Sequence, residues 1–135
     1  MKKWEASYIA GVIDGEGSIM LTRMHKNEFR RPCISIASTD LELLQYVQSH
    51  TGGILVCKKN YYPVMHKKSF TLTIKKKDIV FYLLNQIVPF LRIHKKRKRA
   101  LFILKEYNNV TSRNGKYTPE LLNQKLLFEK RFFEL

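Results

Sequence analysis

Two carboxylates separated by a single glycine stand near the start of this chain, in Tyr8-Ile9-Ala10-Gly11-Val12-Ile13-Asp14-Gly15-Glu16-Gly17. The sequence around them is basic: 135 residues carry 25 lysines and arginines against 11 acids, a formal net charge of +14. Such a surplus calls for a polyanionic partner, nucleic acid before an anionic membrane. Within it, Asp14 and Glu16 form an anionic point suited to a hard divalent cation, which binds carboxylate, carbonyl and water oxygens together with a substrate's phosphate oxygens. The apolar run ahead of the acids is helical in character. Both acids therefore fall at a helix C-terminus, where a carboxylate is disfavoured by roughly 0.3–1 kcal/mol. A bound cation offsets that cost. Gly15 and Gly17 allow close backbone approach and let a carbonyl face the ion. The chemistry implied is metal-assisted phosphodiester hydrolysis.

A second constellation is Arg92-Ile93-His94-Lys95-Lys96-Arg97-Lys98-Arg99, with six lysines or arginines in eight positions. Cations gathered at a predicted helix N-terminus oppose its dipole, which points to phosphate binding by residues such as Arg97 and Lys98. A third is a run of small residues. Ala10, Gly11 and Gly15 give the first helix a stripe without bulk, and no other helix in the chain matches it. Its natural partner is the same helix of a second copy, in a two-fold contact that sets two acidic ends side by side.

Composition narrows the alternatives. A chain of this length, 44% hydrophobic, fits one compact domain over residues 1–135 with a true core. No run is long and apolar enough to span a bilayer, and Met1-Lys2-Lys3-Trp4-Glu5 lacks the apolar stretch of a signal peptide, so an intracellular protein is expected. Cys33 and Cys57 are too far apart for a local metal knuckle and read as free thiols. His25, His50 and His66 show no metal-ligand spacing. Phe81, Tyr82, Phe90, Phe102 and Phe128 recur in helical stretches and read as core.

The elements that must position these residues follow from periodicity. A helix runs from about Glu5 to Asp14 and ends at the glycines. Gly17 to Met24 and Cys33 to Ser38 alternate as strands around a polar turn, giving a hairpin with a wide basic tip. Thr39 or Ser38 caps a helix that Gly52-Gly53 stops. Ile54 to Lys59 and Lys68 to Lys75 form a second hairpin, with Phe70, Leu72 and Ile74 facing one way and Ser69, Thr71 and Thr73 the other. Helices follow over Asp78–Gln86 and Lys95–Tyr107, and a last one opens at Thr118-Pro119-Glu120. The order is α-ββ-α-ββ-α-α-α. Alternating strands imply an antiparallel sheet with one covered and one open face. The open faces of the hairpins suit a DNA major groove. The first carries Thr22, Lys26, Asn27, Arg30, Arg31 and Ser35, and the second carries Lys58, Lys67, Ser69 and Thr71. Met20, Met24, Cys33 and Val56 are placed to meet thymine methyls.

The segment Ile9–Gly17 closely resembles the motif of the LAGLIDADG homing endonucleases. The resemblance continues through the two hairpins and Pro89-Phe90-Leu91-Arg92 with its basic run. A single motif in a chain this long is similar to the homodimeric branch. The resemblance implies an α/β (α+β type) fold with an αββαββα core, a saddle-shaped antiparallel sheet and further C-terminal helices. It implies a homodimer that cuts both strands of a long, nearly palindromic double-stranded DNA site across the minor groove. The cofactor would be Mg2+, with Mn2+ able to substitute and Ca2+ expected to bind without supporting cleavage; no small-molecule substrate and no membrane are implied. Glu16 and the Gly15 carbonyl would hold metal. Ala10, Gly11, Asp14 and Gly15 would form the dimer contact, with Asp14 shaping the helix end. Ser38 would join the water network. A basic residue after Pro-Phe-Leu would steady the attack, and the register leaves His94, Lys95 and Lys96 open. The competing readings are an RNA maturase of the same type, a DNA-binding regulator that does not cut, and a basic structural or membrane-surface protein.

Overall fold

The computed structural model describes residues 1–58, 64 and 67–135. The first helix, α1, spans Lys3–Glu16. It buries Ala6, Ile9, Ala10 and Ile13, a stripe repeating at helical spacing. It ends two residues later than periodicity suggested, so Asp14, Gly15 and Glu16 belong to its last turn. Gly17 stops it, donating its N–H to the Ile13 carbonyl. A Cβ at Gly17 would come within 2.8 Å of the Ile13 Cα, so only glycine lets the chain leave the helix this tightly.

Strands β1 (Gly17–Thr22) and β2 (Arg31–Ser38) form the first antiparallel hairpin, with Ile19 opposite Ile34 and Met20 opposite Cys33. Helix α2 (Leu41–Thr51) follows. Its N-cap is Asp40, not Thr39 or Ser38; Ser38 instead accepts the Asp40 N–H through Oγ at 3.0 Å, shaping the turn. Gly52 and Gly53 end α2 with φ of 66° and 103°. A Cβ at Gly53 would also meet the Thr73 carbonyl at 2.8 Å.

Strands β3 (Ile54–Cys57) and β4 (Phe70–Ile74) complete a four-stranded antiparallel sheet of order β1-β2-β4-β3. The expected ends of the second hairpin at Lys59 and the residue His66 lie outside the described residues. Three helices close the chain: α3 (Lys77–Ile87), α4 (His94–Glu106) and α5 (Pro119–Phe133). Single 3-10 turns follow α3 and α4. Thr118 caps α5 by accepting the Leu121 N–H at 3.1 Å.

One sheet face is covered by helices. Ile19, Leu21, Ile34, Ile36, Leu72 and Ile74 are buried there with Leu44, Val47, Leu83, Leu84 and Ile103. Each such side chain contributes about 1.5–3 kcal/mol by leaving water. The alternate residues Ser18, Met20, Thr22, Arg31, Ser35, Thr71 and Thr73 form the other face, continued on β3 by Ile54 and Val56. On this second face Ser18, Arg31, Ile54 and Val56 are exposed.

Candidate nucleic-acid interface and metal-binding end

The last turn of α1 is held by the start of α4, about eighty residues away in sequence. Asp14 turns inward: its two carboxylate oxygens accept the backbone N–H groups of Arg92 and Ile93 at 2.8 and 3.0 Å. In the reverse direction Lys96 donates from Nζ to the carbonyls of Ile13 and Asp14 at 2.8 and 2.7 Å. Those carbonyls lie at a helix C-terminus and carry partial negative charge. Helix α1 has no basic residue in its own last turn, so α4 supplies the cation. Arg99, one turn on, donates to the Ile19 carbonyl at 3.2 Å and lies 4.9 Å over the Phe132 ring.

Glu16 differs from Asp14. It is exposed and accepts no hydrogen bond from the described residues, as is Gly15 beside it. Among the described residues no three His, Cys, Asp or Glu side chains gather into a metal cage. The oxygens at this end, the Glu16 carboxylate and the Gly15 carbonyl, suit a hard cation that draws its other ligands from phosphate, water and a second copy. Ser38 stands two residues beyond Ile36, the partner of Gly17, and so at the same end of the sheet as Gly15 and Glu16. Of the three basic candidates, His94 and Lys95 are exposed and Lys96 is half-buried against α1.

The outer stripe of α1 presents Trp4, Tyr8, Gly11 and Gly15. Trp4 is 63% and Tyr8 51% exposed, and a Cβ added at Gly11 or Gly15 would meet nothing within 4 Å. Trp4 and Tyr8 continue into a groove of about 800 Å3 with Asp40, Glu42, Leu43 and Tyr46. This patch was missed from sequence, although the spacing 4, 8, 11, 15 along one helix signals it. Ala10 corrects the expected interface. It is 0% exposed and packs inward with Ile9 and Ile13, because a step of 100° per residue turns it away from Gly11.

On the open face Thr22 and Ser35 are half-buried; Arg31, Val56 and Lys58 are exposed. Met24, Lys26 and Asn27 are exposed in the first hairpin's turn, as is Lys67 ahead of β4. Ser69 is half-buried, its carbonyl accepting the Lys58 N–H at 2.7 Å. The Thr71 hydroxyl is enclosed with no hydrogen-bond partner among the described residues. Arg97 and Lys98 are exposed on α4.

Two further expectations are corrected. Cys33 is on the open face but only 2% exposed, so it offers a groove nothing to touch. Burial pushes its thiol above the ordinary range, against a hydrogen bond to Thr22 and the charge of Lys75. Arg30 is not free at the hairpin tip: it donates to Glu129 at 3.4 Å and lies 4.9 Å over the Phe133 ring, both on α5. Behind that tip, Lys125 is 0% exposed, donates to Thr111 Oγ1 at 2.7 Å and sits 4.2 Å over the Tyr107 ring. Burial lowers its pKa to about 8, opposed by Glu129 and reinforced by Lys77.

The fold is also found in solved structures. The homing endonuclease I-CvuI, in complex with its DNA target in the presence of calcium, superposes with a TM-score of 0.74 at 16% identity, covering 98% of this chain and 82% of that one. The archaeal intron-encoded homing endonuclease I-Vdi141I, complexed with DNA, gives 0.64 at 16% identity over 99% and 85% of the two chains. The homing endonuclease I-TnaI gives 0.57 at 22% identity over 96% and 95%. No protein-family model matches the sequence, and no curated protein matches it either. The fold is that of the LAGLIDADG homing endonucleases.

Proposed function

We propose that this chain is one endonuclease domain that works as a homodimer, cutting double-stranded DNA at a specific, nearly palindromic site with the help of Mg2+. The observation that carries this reading is the exposed Glu16 beside Gly15, held at the joint between α1 and the basic helix α4. Neighbours of the same fold are seen with DNA targets, one of them in the presence of calcium and again in the presence of magnesium with the DNA not cleaved, which supports DNA binding in the company of divalent ions.

In this reading Glu16 and the Gly15 carbonyl hold the cation. When bound, it supplies Lewis-acid stabilisation of the charge that develops on the phosphate oxygens. One chain contributes one carboxylate, so the site is completed by the Glu16 of a second copy. The Gly11 and Gly15 stripe, extended by Trp4 and Tyr8, supports that contact: small residues permit close helix approach, and two exposed aromatics at its edge gain by burial. The open face reads bases through Thr22, Lys26, Asn27, Arg31, Ser35, Val56, Lys58, Lys67 and Ser69, with Met24 as an apolar contact, while the enclosed Thr71 hydroxyl is out of reach. Arg97 and Lys98 bind phosphates. Ser38 orders water at the sheet end, and His94 or Lys95 stands exposed to meet the scissile phosphate. Among the described residues no helix is long and apolar enough to cross a membrane, and we place the activity inside the cell, where DNA is.

The test selects a cognate site from a randomised duplex library by cleavage in Mg2+. Parallel incubations use Ca2+ and Mn2+. The reading expects double-strand cuts at one sequence in Mg2+ and Mn2+, and binding alone in Ca2+. Sequence-specific binding with no cleavage in any metal would instead support the non-cutting regulator.

A further inference from the structure

We propose that Lys96 is a positioning residue. With Asp14 it closes a reciprocal clamp that fixes the Gly15 carbonyl and Glu16 where a cation can use them. The proposal rests on the endonuclease reading and names how that site is held.

Four hydrogen bonds form the clamp, each joining residues 78 to 83 apart in sequence. Two run from the Lys96 ammonium to the Ile13 and Asp14 carbonyls, and two from the Arg92 and Ile93 amides to the Asp14 carboxylate. The Ile13 carbonyl also receives the Gly17 N–H. Both carbonyls immediately before Gly15 are therefore taken up, and the next one in line is the proposed metal ligand. A lysine ammonium has three protons. Lys96 commits two of them to the chain itself, whereas His94, Lys95, Arg97 and Lys98 on the same helix are exposed.

The electrostatics agree in both directions. A cation at the C-terminus of α1 and an anion at the N-terminus of α4 each complement a helix dipole. No side chain caps α4 from its own N-cap position, and the Asp14 carboxylate takes up the N–H groups of Arg92 and Ile93 just ahead of its first turn. The Lys96 charge also offsets the penalty of carrying Glu16 at a helix C-terminus. The clamp makes the metal-binding end and the basic helix one mechanical unit, so that phosphate contacts through Arg97 and Lys98 register the site against the backbone to be cut.

Calorimetric titration of Ca2+ into the protein–DNA complex is the main test, because it needs no cleavage. Lys96→Met is expected to weaken Ca2+ binding about tenfold or more, the range typical when a group supporting a metal ligand is lost. The Mg2+ midpoint for cleavage should move up by a similar factor, with cleavage recovering at saturating Mg2+. Lys96→Arg should restore both, since a guanidinium can address two carbonyls. Unchanged Ca2+ affinity with cleavage lost at every Mg2+ concentration would overturn the proposal and assign Lys96 to the chemistry. Amide hydrogen exchange gives a readout free of metal and DNA. Asp14→Ala should accelerate exchange at the Arg92 and Ile93 amides, and unaltered exchange would sink the clamp. Absence of Ca2+ binding and cleavage in the unmodified protein would refute the endonuclease reading, while the exchange result would still decide the clamp.

Discussion

Two corners of the molecule each hold a lysine against backbone and side chains from a distant element, and they do opposite things. At the α1–α4 corner Lys96 and Asp14 turn inward while Glu16 and Gly15 face out. At the α5 corner everything closes: Lys125 is enclosed among Tyr107, Phe29 and Phe128, and Glu129 and Phe133 engage Arg30 at the first hairpin's tip. The first corner is supported on one side and open on the other, as a reacting site must be. The second encloses its lysine, with a hydrogen bond to Thr111 and aromatic faces around it, and serves to hold the hairpin. Changes at the first should therefore alter chemistry and assembly while sparing stability, and changes at the second should do the reverse.

The largest separation is expected from Glu16→Gln. Cleavage should fall by on the order of a thousandfold or more, as for loss of a key electrostatic group, with DNA affinity and thermal midpoint little changed. Retained cutting would place the chemistry elsewhere. Next comes Gly11→Leu, whose new side chain meets nothing within the chain. It should spare the fold but obstruct the second copy by about 1–3 kcal/mol, or about tenfold to a hundredfold in dimer dissociation by sedimentation. Ala10→Leu, one residue away, should instead cost the fold a similar amount, because Ala10 is buried. Equal behaviour of the two variants would erase the distinction between the faces of α1.

A smaller effect probes the closed corner. Lys125 titrates at about 8 in the folded chain against 10.5 for an ordinary lysine. Below pH 8 both folded and unfolded chains carry its proton and the burial cost is fully present. Between pH 8 and 10.5 the unfolded chain holds the proton that the folded one has released, so stability rises with pH. Lys125→Met should remove that rise in denaturant midpoints at pH 7, 8.5 and 10 without changing cleavage at neutral pH. Identical pH profiles for variant and parent would contradict the assignment. The smallest effect is expected from Lys98→Ala, which should weaken all DNA sequences evenly and reduce the salt slope by about 1. A loss confined to one sequence would make Lys98 a base reader.

The open corner was more legible in the sequence than the closed one. Element order and the two sheet faces follow from alternation and helical spacing, which are local. So does the place of Glu16 at a helix end. The clamp does not, because Asp14 and Lys96 find each other only through the fold. Arg30 reads as a tip residue until its partner 99 positions away is known. Cys33 has the alternation of the open face, but its burial in the fold is invisible along one strand. Lys125 did leave a trace: with Leu121, Phe128 and Phe132 it occupies one stripe of α5, and a lysine in an apolar stripe signals burial.

The helix-to-strand junction sets a length scale. Gly17 follows Glu16 directly and admits no Cβ, so β1 departs from the proposed metal-binding end with no slack. Its six residues extend about 20 Å at roughly 3.3 Å each, close to six base pairs at about 3.4 Å. The strand is a covalent ruler, fixed at its zero mark. In the proposed endonuclease, exchanging Thr22 or its neighbours re-chooses bases along it, while their distance from the cut stays built into the backbone.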